Sequence, residues 1–152
     1  MIRLPTVVID RKMQGMCRLP YPNHARGCPN FGLKVGCPPN VPLFPEVYDM
    51  TKPVYAIVNR FDFGAHVAKM RAAHPDWTDR QLTCCLYWQG TARKALKRAI
   101  ADFERLFPDH TVDTCPEAKG VNVTATLQAV GINLEWPPQA VACQVALAGV
   151  LL

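Results

Sequence analysis

The chain contains no serine at all. That removes serine-nucleophile chemistry and any Gly-x-Ser-x-Gly elbow. No apolar run reaches the roughly 18–20 residues of a membrane-spanning helix. There is no Gly-x-Gly-x-x-Gly fingerprint and no Walker run, so no ready phosphate cradle is offered. The four histidines, His24, His66, His74 and His110, are scattered and form no HExxH pair. Neither sign of charge dominates: 17 basic against 12 acidic residues leave +5, which permits an anionic partner without requiring one. The opening residues 1–5 carry no long apolar segment, so no secretory signal is expected.

What is present is enough for one domain over residues 1–152, since 49% of the chain is apolar and this length can bury a real core. Seven cysteines and fourteen prolines stand out. An odd cysteine count with no export signal argues against a disulfide framework. It favours metal or redox chemistry in a cytoplasmic protein. The prolines crowd the first third, and residues 17–45 show neither helical nor alternating periodicity. A loop of that length needs something to hold it, and it carries Cys17, Cys28 and Cys37.

The fold class expected is α+β or α/β: a small sheet, packed helices and a cysteine-bearing, proline-rich N-terminal loop. Residues 6–9 read as a short strand, and residues 54–58 as a buried one. A helix is predicted from Phe63 to Ala73, stopped by Pro75. Thr78 and Gln81 form a capping box for the next helix. From Leu82 to Phe107 one apolar stripe continues, weakened at Gly90. Its other face carries Arg93, Lys94, Lys97, Arg98 and Arg105. Residues 111–113 suit a strand, and 124–130 a short helix closed by Gly131. Residues 132–136 alternate like a strand. Pro137-Pro138 suits entry to a final apolar helix from about Gln139.

Cys17, Cys28 and Cys37 are separated by ten and eight residues, and Cys28, Cys37 and Cys115 are each followed by proline. Soft thiolates gather zinc, copper(I) or iron–sulfur clusters. Structural zinc usually pairs its ligands as C-x₂₋₄-C, and no such pair exists here. Wide gaps, with glycine before Cys28 and Cys37 and proline after, suit a larger cluster wrapped by extended chain. Proline cannot donate a backbone N–H and turns the chain away. Separate buried thiols are the plainer alternative. They account poorly for three cysteines in a proline-broken loop.

For the fourth ligand the Cys-Pro repeat favours Cys115. Cys143 lies in an apolar segment and reads as core. Cys84 and Cys85, adjacent on a predicted helix and about 100° apart, do not suit one metal, and Cys85 falls on the apolar stripe. His24 could ligate but reads as a surface histidine. The predicted ligands, as cofactor and metal residues alike, are Cys17, Cys28, Cys37 and Cys115.

The runs Cys28-Pro-Asn-Phe-Gly and Cys37-Pro-Pro resemble the opening of a family of small, uncharacterised, cysteine-rich proteins described as predicted metal-binding. Cys115-Pro-Glu-Ala and Leu127-Gln-Ala-Val-Gly-Ile-Asn are similar to that family's C-terminal segment. The resemblance touches about half the chain and departs in the middle. There many relatives carry a Cys-x-x-Cys-type stretch and this chain has Cys84-Cys85. It implies metal binding and no particular reaction.

The leading expectation is therefore a [4Fe–4S] protein with a redox or sulfur-transfer partner, for electron transfer. With three cysteine ligands and one open iron it would instead suit sulfur handling or Lewis-acid chemistry. Whether it is an enzyme is left open. The second is a structural-zinc module with the basic helix face on nucleic acid, though a solvated face explains those cations more simply. The third is a thiol redox protein using Cys84-Cys85 or an N-terminal cysteine pair. Trp77, Trp88 and Trp136 could stack bases, but core or capping roles are the simpler reading.

Overall fold

The computed structural model describes residues 1–20 and 25–152. Four strands form one antiparallel sheet in the order β1-β2-β4-β3: β1 (Ile2–Leu4), β2 (Val54–Asp62), β3 (Thr111–Asp113) and β4 (Val141–Gly149). Around it pack α1 (Lys12–Gly15), α2 (Phe63–Ala73), α3 (Asp79–Leu82), α4 (Gln89–Leu106) and α5 (Val123–Gln128). The class is α+β.

Where residues 55–58 pair with 145–148 the two central strands are covered on both faces, which is why those stretches read as apolar runs. Strand alternation sends Val54, Ala56, Val58, Val145 and Leu147 to one face, and Tyr55, Ile57, Ala146 and Ala148 to the other. On the second face α4 lays Leu96 and Phe103 against Ile57, Ala146 and Ala148. On the first face the cover comes from Phe44, Tyr48, Val121, Val123 and Leu127. Phe44 and Tyr48 stack with ring centroids 4.2 Å apart. Full burial of a side chain such as Phe44 or Leu147 contributes about 1.5–3 kcal/mol.

Several local expectations hold. The helix Phe63–Ala73 has those bounds, with Asp62 Oδ1 accepting from Ala65 N–H as its cap. The Thr78/Gln81 capping box is formed. Residues 111–113 are a strand, and the 54–58 strand runs on to Asp62. The α5 helix ends in paired bonds, Gly131 N–H to Gln128 O and Ile132 N–H to Leu127 O, the Schellman arrangement.

Others are corrected. The final segment is not a helix but β4, in the middle of the sheet. A run of small and β-branched apolar residues fits either state by pattern. Its eight registered pairs with β2, from Tyr55↔Ala148 to Asp62↔Val141, satisfy the backbone as a strand. Residues 132–136 are not a strand. The Glu135 carboxylate instead accepts from the N–H groups of Gln139, Ala140 and Val141, shaping the turn into β4. The N-terminal strand is 2–4 rather than 6–9, and Ile9 keeps a single bridge to Val121. The stripe from Leu82 to Phe107 is broken, though not at Gly90. The α3 helix stops at Leu82, Cys85–Tyr87 makes one tight turn, and α4 starts at Gln89. The break lets Trp88 pack against Phe61 and Phe63, at 5.4 and 5.3 Å between centroids.

Candidate metal centre

The first thirty-odd residues after β1 reach the far end of the chain through a short series of backbone bonds. Asn122 N–H donates to Val8 O at 2.8 Å, Asp10 N–H to Gly120 O at 2.7 Å, and Ile9 bridges Val121. Gln14, on α1, donates from Nε2 to both Val41 O at 2.9 Å and Ala118 O at 3.0 Å. One amide thus ties α1 to the exit of the cysteine loop and to the turn after Cys115. Val121 is fully buried in the first-face core, so this seam is anchored to the sheet.

Cys17 lies in the tight turn Met16–Arg18 directly after α1. Cys28 returns to it: Cys28 N–H donates to Cys17 O at 2.7 Å. Gly27 makes this possible. Its φ is +79°, and a Cβ there would stand 2.6 Å from Cys17 O and 2.7 Å from the Arg18 carbonyl carbon. Only glycine accepts both that conformation and that approach. Cys37 closes a second loop, its N–H bonded to Lys34 O at 3.0 Å, and Gly32 N–H reaches Pro38 O at 2.7 Å.

Cys115 is set by β3. Asp113, 7% exposed, accepts from Cys115 N–H through Oδ1 at 2.9 Å and pairs with Lys119 Nζ through Oδ2 at 2.8 Å. Pro116 then opens the 116–119 turn, fully buried.

These elements gather the thiols of Cys17, Cys28, Cys37 and Cys115 into one electrostatic neighbourhood. Burial pushes the Cys17 thiol up. The neighbouring Cys28, Cys37 and Cys115 push it further, followed by Glu117. The Cys115 thiol is also raised, chiefly by burial. A hydrogen bond with Thr114 opposes the shift, and Glu117, Asp113 and Cys37 reinforce it. Cys115 is nevertheless exposed as a residue, whereas Cys17, Cys28 and Cys37 are half-buried.

Among the described residues no three His, Cys, Asp or Glu side chains stand close enough to hold one ion as they are. The cysteines are neighbours rather than a closed ligand shell. A set of four soft donors on three separate loops suits a thiophilic metal or cluster.

The remaining candidates lie elsewhere. Cys143 is not core: it is half-buried on β4, opposite Arg60, and burial raises its thiol against that cation's pull. Cys84 is half-buried and Cys85 exposed, at the start of the tight turn rather than on a helix, so Cys85 does not pack in the stripe. His24 lies outside the described residues. Arg93, Lys94, Lys97, Arg98 and Arg105 are all exposed, Arg105 pairing with Asp102. They lie across the sheet from the cysteines, because α4 covers the opposite face. Trp77 stacks on His74 at 4.0 Å, and Trp136 is exposed. A cleft of about 410 Å³ between α2 and residues 87–91 is lined by Phe61, His66, Lys69 and Trp88, with no cysteine in its lining.

Sequence reasoning missed Gln14 and Asp113, and noted Gly27 only as the glycine before Cys28, not as the residue that lets Cys28 close on Cys17. A glycine directly before Cys28, matched by Gly36 before Cys37, was the one visible signal. No helix among the described residues is long and apolar enough to cross a membrane. No family model, curated protein or solved structure matches the chain.

Proposed function

We propose that this is an iron–sulfur protein in which Cys17, Cys28, Cys37 and Cys115 ligate a [4Fe–4S] cluster, and that its work is electron transfer in a reducing, cytoplasmic setting. What supports the reading is the backbone that draws these loops together, with Cys28 N–H on Cys17 O at 2.7 Å and Gln14 Nε2 bridging Val41 O and Ala118 O, and beside it the pull of Cys28, Cys37 and Cys115 on the Cys17 thiol, from positions up to 98 residues apart (115 − 17). Cysteine-ligated clusters exchange single electrons at potentials set by charge, hydrogen bonding and exposure.

The chain's own residues do the rest. Gly27 lets the Cys17 and Cys28 backbones touch, Gln14 holds the loop to the 116–119 turn, and Asp113 fixes the backbone of Cys115. Raised thiols are protonated near neutrality, so ligation releases protons and tightens as pH rises. Cys115, the exposed member, faces the solvent side of the site.

The test is anaerobic purification followed by a spectrum and metal analysis. A brown protein with broad absorption near about 400 nm and matching iron and sulfide is expected. A colourless protein holding zinc would replace the cluster with a structural metal. A protein that keeps neither metal would return the cysteines to thiol chemistry.

A further inference from the structure

Four large apolar residues flank the cysteines in the chain and stand in solvent: Leu33 at 85% and Val35 at 99% exposure, with Met16 and Leu19 each at 52%. Scattered exposed apolar residues are ordinary. These are not held out by looseness. The segment that carries Leu33 and Val35 is closed on itself by backbone bonds: Leu33 and Lys34 N–H to Asn30 O, Cys37 N–H to Lys34 O, and Gly32 N–H to Pro38 O. Those bonds hold the knuckle together, and its apolar tips stand in solvent.

The same stretch has an unusual charge. Residues 11–45 contain Arg11, Lys12, Arg18, Arg26 and Lys34 and not one Asp or Glu. All five cations are exposed, and Arg11 pairs with Glu46 at 3.8 Å. A cluster held by four thiolates is anionic and accounts for part of that positive charge. It does not account for a loop that presents leucine and valine to water.

We propose that the cysteine loop is a docking surface for an acidic electron-transfer protein, whose apolar patch receives Leu33 and Val35 and whose carboxylates meet Arg18, Arg26 and Lys34. The proposal rests on the iron–sulfur reading above, because it places the partner over the thiols. Apolar anchors inside a charged rim are the anatomy of a protein interface. Weak redox encounters are among the smallest. Nucleic acid offers phosphates to the cations but nothing for Val35. A bilayer would accept both, yet membrane-surface binding usually rests on a longer amphipathic face or a second anchor. Opposite charge would steer the encounter and make it sensitive to salt.

The test uses the full chain, purified anaerobically, with a small acidic [2Fe–2S] ferredoxin as probe, at about 50 and about 300 mM salt. Two arms run beside it: vesicles about one-third phosphatidylserine, and a single-stranded oligonucleotide. Expected is ferredoxin binding at low salt that weakens roughly tenfold or more in Leu33→Ser/Val35→Ser. Lys34→Glu should lower it about as much and flatten its salt dependence. Leu33, Lys34 and Val35 are all exposed, and unchanged thermal unfolding would check that the fold is intact. Ferredoxin binding that is absent, or indifferent to these variants, overturns the proposal. So does tighter capture of vesicles or oligonucleotide that the same variants abolish. Iron and sulfide content of the wild-type chain separates the two claims: no cluster defeats the iron–sulfur reading, whereas a cluster with no loop-dependent binding defeats only the docking surface.

Discussion

The sheet and the cysteine loop are ordered by different physics. Strands β2 and β4 are joined over eight registered pairs and covered on both faces where 55–58 meets 145–148, so apolar burial and backbone pairing hold them together. Among the described residues of 11–43, Pro38 is fully buried and Leu43 is buried at the very end of the stretch. Before it, order comes from turn hydrogen bonds, the double bond of Gln14, and the close contact of Cys17 and Cys28. The sheet would hold its shape with any metal state. Under the proposed ligation the loop's stability would be tied to what its thiols bind, because ligation free energy there is folding free energy.

The strongest way to separate the two regions is to remove a ligand. Cys28→Ala or Cys37→Ala should lower metal retention by more than about tenfold. It should also open residues 12–41 to hydrogen exchange while β2 and β4 stay protected. Gly27→Ala should act like a ligand deletion although it removes no donor, since its Cβ collides with Cys17 O at 2.6 Å. Full metal retention in all of these variants would sink the single-site assignment.

A core substitution should act on both regions at once. Phe44, fully buried, joins the loop's exit to the first-face core. Phe44→Ala should cost about 3–5 kcal/mol in denaturant unfolding, in apo and metal-loaded protein alike. A loss confined to the apo protein would contradict the division drawn here.

Asp113 is the hinge between the regions, on β3 yet holding Cys115. Asp113→Asn removes the charge facing Lys119 and should cost roughly 1–3 kcal/mol. Metal should be released faster from the Cys115 side, read as partial iron loss with Cys17, Cys28 and Cys37 still ligating. Unchanged stability and unchanged iron release would show that Asp113 holds neither.

The smallest effect lies in the turn before β4. Three backbone N–H groups hold the Glu135 carboxyl below its usual range. A group depressed in the folded state adds stability above its unfolded value, near 4.3, and loses it as pH falls through the lower folded value. Glu135 is exposed, so the change should be slight. Acid should loosen residues 135–141 before the cysteine loop, seen by amide exchange, and Glu135→Gln should abolish the pH dependence.

How much was legible in advance follows the range of the forces. The capping box at Thr78 and Gln81, the helix Phe63–Ala73 and the Gly131 stop depend on neighbours three to five residues away, and local pattern was sufficient for each. The expectation that Cys17, Cys28 and Cys37 share a site came from proline-broken chain that leaves thiols little else to do. The helix expected after Pro138 failed for the opposite reason. Val-Ala-Cys-Gln-Val-Ala-Leu-Ala satisfies either period, and the choice rests on an empty place beside β2, set by residues some ninety positions earlier (147 − 56 = 91 for Ala56↔Leu147). Gln14 and Asp113 were illegible because a hydrogen bond to a distant carbonyl or amide leaves no spacing in the chain. Cys115 stands between these cases. Its Cys-Pro chemistry marked it as a candidate ligand, but the approach of its loop to that of Cys17 is made by the Val8–Val121 seam, where backbone pairing over more than a hundred residues outweighs anything local composition encodes.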